Sequence, residues 1–310
     1  LSNPFQKTIK KDLEQIWDSE QISIPYRKRN KTFYFLNDGN QQQSVFMMKR
    51  CDKCVPEVLL DPNSFSKDGT VSLSEISISP DGKKLAYSIS DGGSDWRTWK
   101  VMDIETKQDL ADKIEWSKFS YATWESDSSG FYYQKYDETE ESLADINRSP
   151  KLYFHKLSDN QFEDRLIYQN LENPDRSWSI GVPEEGDYRV LSVGEGTDER
   201  NLIYIKFNQG EEFVPIIKEF EATYNFLGGL KDTLWFFTTK NSPMGKVVAL
   251  RITQKGEYFW EDLIEEKEPI SSISLTGNRI IVNYLKDTFT EVSFFDLEGN
   301  YLSSLDFQKK

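Results

Sequence analysis

A single histidine, His155, and one cysteine pair, Cys51 and Cys54, are the obvious places to look for chemistry in this 310-residue chain. Serine hydrolysis needs a base and a group to orient it. With one histidine, any such triad would have to be built around position 155. His155 stands in KLYFHKL (151–157), where it alternates with its neighbours as a strand residue does, and it reads as structural. No G-x-S-x-G nucleophile elbow occurs. The cysteines lie in RCDKC. A zinc ribbon would need a second pair, or histidines at ligand spacing, and the sequence has neither. A redox C-x-x-C would open a helix, whereas the flanks here look strand-like, so the two read as plain thiols on a loop. The acidic runs DETEE (137–141) and EEKE (265–268) lack the D-x-D-x-D-G order of a calcium loop and read as solvated loops. GGSDW (92–96) lacks the lysine of a phosphate cradle and reads as a turn. No metal and no cofactor is implied. A glycosidase-type pair of carboxylates stays open, because acids are many and spacing in sequence does not fix spacing in space.

The charge balance narrows the partners. Asp and Glu number 52 against 38 Lys and Arg, a net charge of −14. Such a surface repels phosphate backbones and anionic lipid, so neither nucleic acid nor membrane is expected as a partner. No apolar run reaches the roughly 18 residues that span a bilayer. Aromatic residues make up 14% of the chain, which argues against extensive disorder. The sequence opens at Leu1 without a signal-peptide pattern; a soluble protein is expected, its compartment unread.

The elements that must position any site follow from periodicity. PFQKTIKKDLEQIWDS reads as one amphipathic helix, with Phe5, Ile9, Leu13 and Ile16 at three- to four-residue spacing. Beyond about Ile22 the chain becomes short strands rich in Val, Ile, Phe, Tyr and Trp, punctuated by Gly, Asp, Asn and Ser. A strand signature recurs at 32–38, 85–91, 130–137, 188–194, 233–240 and 279–287. Partner strands follow at 44–49, 98–104, 151–157, 201–207, 247–252 and 292–297, and shorter outer strands such as EVLLD (57–61) and RLIYQ (165–169) close several repeats. The repeats begin roughly 45 to 58 residues apart, the period of four-stranded propeller blades. SPDGKK (79–84), SDSSG (126–130) and LEGN (297–300) supply tight-turn chemistry between strands. The expectation is an all-β chain: a β-propeller of four-stranded blades at about 22–63, 70–113, 116–170, 176–220, 224–267 and 270–310, preceded by one helical lead-in over 1–20. One blade cannot bury both faces of its own sheet, so stacking is obligatory.

Residues 61–104 are more specific. D-P-N (61–63), D-G-T-V (68–71), S-P-D-G (79–82), A-Y (86–87) and G-S-D-W (93–96) occur there in one order. That ordered set resembles the start of the propeller in the prolyl oligopeptidase family. KFSYATWESDSSGFYY (118–133), KLYFHKL and GEGTDERNLIY (194–204) are similar to its later blades, so the resemblance covers essentially the whole chain. It implies a serine peptidase that cleaves short peptides after proline. Its α/β-hydrolase domain carries the Ser-Asp-His triad, and a seven-bladed propeller covers it as a lid. By that comparison SSLDFQKK ends the sixth blade, and the seventh blade and the catalytic part lie outside this sequence. The chain alone should then be inactive. Six blades of a seven-blade ring would leave two apolar faces to splay or to pair with another molecule. The resemblance also implies substrate-facing positions. The phenylalanine of K-F-S is matched by Phe119. An apolar position after a tryptophan falls on Ser179, which follows Trp178. An R-E-G-C stretch falls on 194–197, so its arginine is Gly194 here and its cysteine Thr197, which leaves a guanidinium contact to substrate open.

Two other functions compete with this one. A non-catalytic propeller could bind a protein partner through one face, and a longer reading frame with G-x-S-x-G would rule that out. A sister specificity, cleavage after basic residues, would need acidic pocket residues from the hydrolase domain.

Overall fold

A computed structural model describes residues 5–138, 148–183, 185–186, 188–207, 212–253 and 256–305. Helix Gln6–Trp17 comes first, and none of its residues is buried. Six antiparallel sheets follow in chain order. The first contains Gln21–Ile22, Tyr26–Lys28, Lys31–Asn37, Val45–Lys49 and Glu57–Leu60. The second contains Val71–Ile78, Lys84–Asp91, Arg97–Asp103 and Gln108–Ser117, and the third Thr123–Trp124, Gly130–Lys135, Lys151–Lys156 and Arg165–Tyr168. The fourth is built from Arg176–Gly181, Tyr188–Glu195, Leu202–Phe207 and Val214–Ile217. The fifth comprises Tyr224–Leu230, Thr233–Thr238, Lys246–Ile252 and Tyr258–Ile264, and the sixth Ile270–Thr276, Arg279–Lys286, Phe289–Phe295 and Tyr301–Ser304. The second to sixth sheets are four-stranded meanders in which each strand pairs with its chain neighbour. This is a six-blade β-propeller with one N-terminal helix.

The chain divides into two compact units, Leu1–Glu140 with Leu152–Ile167, and Glu141–Lys151 with Tyr168–Lys310. In the first unit one core joins the first two sheets through Phe33, Phe46, Met48, Leu85 and Ile104. A second core joins the second and third sheets through Trp99, Val101, Ile114, Trp124, Phe131 and Tyr133. The second unit repeats the arrangement. Ile203, Ile205, Leu234, Phe236 and Val248 fill one layer, and Trp235, Val247, Ala249, Ile280, Val282 and Tyr284 the next. The middle strands of the second and fifth sheets lie between two such cores and are covered on both faces, which is why Val247–Leu250 is a run of consecutive buried residues. The outer strand Gln108–Ser117 mixes exposed and buried positions instead.

The turns are made by the residues that mark them in sequence. In S-P-D-G, Ser79 Oγ donates to Asp81 Oδ1 at 2.6 Å, and Gly82 takes a positive φ of 72°. In D-P-N, Asp61 accepts from the Asn63 amide at 2.9 Å. Asn63 and Gln43 are joined by two further bonds of 2.8 and 3.0 Å. Gln43 Nε2 then donates to Val71 O at 2.9 Å, so this motif ties the first sheet to the second. GGSDW is a turn. Of the acidic run 137–141, residues 139–141 lie outside the described residues, as does the end of the chain at 306–310.

One expectation is corrected. Cys51 and Cys54 are not plain thiols but form a disulfide, with their Cα atoms 5.0 Å apart. The loop between the two outer strands of the first sheet turns tightly here, and the Cys54 amide donates to Cys51 O at 3.1 Å. That turn brings two side chains three residues apart within bonding reach.

Candidate substrate-facing surfaces

Phe119 belongs to the first unit, in the link that leads from the second sheet to the third. Phe119 (φ 51°) there and Trp116 (φ 59°), near the end of the strand Gln108–Ser117, both occupy the left-handed region. For bulky side chains this conformation costs on the order of 1–3 kcal/mol each, and it persists only where the surroundings enforce it. The enforcing contacts are buried. Trp99 Nε1 donates to Ser117 Oγ at 3.1 Å, and Ser117 Oγ donates to Gln134 O at 2.8 Å. The Gln134 amide donates to Ser120 Oγ at 2.8 Å, and its side-chain nitrogen reaches Lys118 O at 3.4 Å. The Tyr136 amide donates to Trp116 O at 3.0 Å. Lys118, nearly fully buried, places its ammonium 4.2 Å from the Trp96 ring centre and 4.9 Å from that of Tyr136. Burial lowers the pKa of that ammonium, and the charge of Asp95 partly offsets the effect. Trp96 meets Trp116 and Tyr136 edge-on.

Ser179, Gly194 and Thr197 belong to the second unit; Ser179 and Gly194 lie in the first hairpin of the fourth sheet, and Thr197 in the turn after it. Ser177 pairs with Gly194 and Ser179 with Ser192, so these four residues lie on one face. Ser179 is exposed and Gly194 half-buried. A Cβ at Gly194 would meet only Ser177 Oγ, at 3.5 Å, so the face has room above this position. Thr197 sits exposed in the turn that follows, where the Asp198 amide donates to Glu195 O at 3.1 Å.

His155 occupies a strand of the third sheet and is fully buried. Its Nδ1 lies 2.7 Å from Asp164 Oδ1 and its Nε2 3.0 Å from Asp112 Oδ1. Tyr133 donates to Asp164 Oδ2 at 2.7 Å, and the Ser158 amide to Asp112 Oδ1 at 2.6 Å. Burial alone would lower the imidazole pKa, but the two carboxylates outweigh it and raise it to about 9. For Asp112 burial opposes ionisation, and the bonds from His155 and Ser158 overcome it, holding its carboxyl below the usual range. An imidazolium held on both nitrogens has no lone pair with which to act as a base. The sequence points to His155 but not to these partners, which lie 43 and 9 residues away. Among the described residues, no group of three His, Cys, Asp or Glu side chains is disposed to hold a metal ion.

Successive four-stranded meanders packed through apolar faces define a β-propeller. The family model for the prolyl oligopeptidase N-terminal β-propeller domain matches residues 2–308. The prolyl endopeptidase of Elizabethkingia meningoseptica is 35% identical over 304 residues, covering 97% of this chain and 43% of that protein. The dual function macrocyclase-peptidase POPB of Amanita bisporigera is 28% identical, covering 88% of this chain and 41% of that protein. A chain from a structural study of two prolyl endopeptidases superposes with a TM-score of 0.86 at 28% identity, over 98% of this chain and 44% of its own length. The chain belongs to the prolyl oligopeptidase family, as its N-terminal β-propeller domain. It spans less than half the length of the curated relatives it matches.

Proposed function

We propose that this chain is the gating domain of a serine-type prolyl oligopeptidase, which cleaves short peptides on the carboxyl side of proline. The observation that carries the proposal is the match over residues 2–308, joined to 35% identity with a prolyl endopeptidase across 97% of the chain. The reaction is an acyl-enzyme hydrolysis, with nucleophile, base and oxyanion hole supplied by the catalytic part of the longer protein. His155 cannot supply the base, since both its nitrogens are engaged and it is sealed from solvent. The propeller excludes large folded proteins and lends side chains to the pocket. Phe119 is an apolar wall there, and the face carrying Ser179 and Gly194, with Thr197 beside it, is a small, uncharged surface where other members place bulkier groups.

The test is hydrolysis of proline-containing reporter peptides by the full-length protein. Cleavage after proline, blocked by a serine-directed inhibitor and absent in the 310-residue chain alone, is the expected result. Phe119→Ala should raise KM about tenfold with little change in kcat, as loss of a ring contact made equally in ground and transition states would. A full-length protein that cleaves no proline peptide would overturn the peptidase reading in favour of a binding module.

A further inference from the structure

The strand register of the fifth sheet gathers polar side chains at one end of the face it turns toward the fourth. Tyr224 pairs with Thr238 and Thr238 with Lys246, which sets these residues in one row across neighbouring strands. Val248 pairs with Asp262 and Leu250 with Trp260, so the outer strand adds a carboxylate and an indole to the same face. Ile217, at the end of the fourth sheet, and Glu221, in the link that follows, complete the lining of a cavity of about 270 Å³ within the second unit.

The lining is held in place by the fold. The Trp260 ring centre lies 5.7 Å from that of Tyr224 and 5.3 Å from that of Phe236. Thr238 is almost fully buried, and its Oγ1 accepts from the Lys240 amide at 3.0 Å, fixing the turn that carries Lys240. Tyr224, also buried, donates to Glu221 Oε1 at 3.2 Å. Lys240 forms an ion pair with Glu221, and Lys246 forms one with Asp262 at 2.8 Å. In each pair the opposite charges stand side by side. An ammonium carries three donors and a carboxylate about four acceptor sites, so one such pairing leaves both groups capacity for a ligand. The cavity is also smaller than the roughly 300–1,000 Å³ of pockets for drug-sized ligands. A ligand that matches it is small, carries adjacent charges of both signs and offers the indole an apolar face.

We propose that this cavity binds a free α-amino acid with a flat apolar side chain, as the zwitterion. The ligand carboxylate meets Lys246 and its ammonium meets Asp262, because one α-carbon holds its two charges side by side as the ion pair holds its own. Trp260 stands two residues from Asp262 on the same strand face and receives the side chain. The inference does not rest on the peptidase reading.

The experiment is calorimetric titration of the full-length protein, after treatment with a serine-directed inhibitor, with L-phenylalanine, phenylacetate and phenethylamine. L-Phenylalanine should bind saturably. Phenylacetate and phenethylamine, each lacking one of its charges, should bind about tenfold more weakly. Asp262→Asn should weaken L-phenylalanine about tenfold with the melting temperature nearly unchanged, and Trp260→Ala should weaken it to a similar degree, about tenfold. If Trp260→Ala fails to fold, Asp262→Asn decides alone. The absence of saturable L-phenylalanine binding would overturn the site, as would binding that Asp262→Asn leaves unchanged. Phenylacetate binding as tightly as L-phenylalanine would overturn the zwitterion as ligand. Each outcome is read without cleavage of a proline peptide, so failure here and failure of the peptidase reading are separate results.

Discussion

His155 carries a proton that its surroundings enforce. Each ring nitrogen faces a carboxylate, the imidazole is fully buried, and the Phe131 ring lies 5.5 Å from it. Its pKa of about 9 in the folded chain, against 6.5 for a free imidazole, means that the native state holds more protons than the unfolded state between those values. Stability from this group is thus fully present below pH 6.5 and is lost as pH rises through about 9. At roughly 1.4 kcal/mol per pKa unit, the contribution is about 3 kcal/mol. Asp112 acts in the opposite sense, its contribution fading as pH falls below the ordinary carboxylate range. Thermal unfolding followed from about pH 6 to 9.5 should show a declining midpoint in the wild type that flattens in His155→Ala. The substitution itself should cost about 3–5 kcal/mol, since it leaves two buried carboxylates without their cation. A midpoint that does not fall over this range would show that the folded chain does not hold the imidazole in its charged form.

At the scale of elements, the close approach of Gly130 to its neighbouring strand sets a sharper limit. A Cβ there would lie 2.1 Å from the carbonyl oxygen of His155, a backbone atom with no freedom to retreat. Gly130→Ala should therefore destabilise by about 2 kcal/mol or more in denaturant unfolding, in spite of alanine's better backbone entropy. The Cys51–Cys54 disulfide is a milder constraint. Closing so short a loop removes little chain entropy, so reduction or the double Cys→Ser change should cost at most about 2 kcal/mol. A larger loss in either experiment would mean that the first sheet depends on this loop for its register.

These elements are unequally legible in the sequence. Middle strands such as TLWFFT and KVVALRI stand out because burial on both faces writes them as nearly unbroken apolar runs. The first strands do not, since VSLSEISI, YNFLGGL and ISSISLT dilute the apolar signal with serine and glycine. Phe119 is reached through family resemblance alone. Its support by Lys118, Trp96 and Tyr136 joins residues distant in sequence, which periodicity cannot bring together. The disulfide escapes a reading that weighs C-x-x-C only against metal and redox motifs, because a tight turn decides whether two such thiols can meet.

For the molecule as a whole, two opposed quantities govern how copies of this chain meet. The net charge of −14 drives them apart. Against this, the sixth sheet turns one face of Ile281, Leu285, Val292 and Phe294 away from its core. The pairing register puts these residues opposite the buried row of Ile280, Val282 and Tyr284. Leu285 is 47% exposed, and Leu305 beside Val292 is 48% exposed. In the isolated 310-residue chain this face is expected to meet the same face of a second copy. Repulsion between surface charges is screened over about 10 Å at 0.1 M salt and about 3 Å at 1 M, whereas apolar contact persists. Sedimentation velocity on the isolated chain should then show self-association that strengthens from low to high salt. Val292→Asp should abolish it while leaving the core, and so the unfolding midpoint, nearly intact. Association that weakens with salt would point instead to contacts between charged surfaces and would remove this face as the cause.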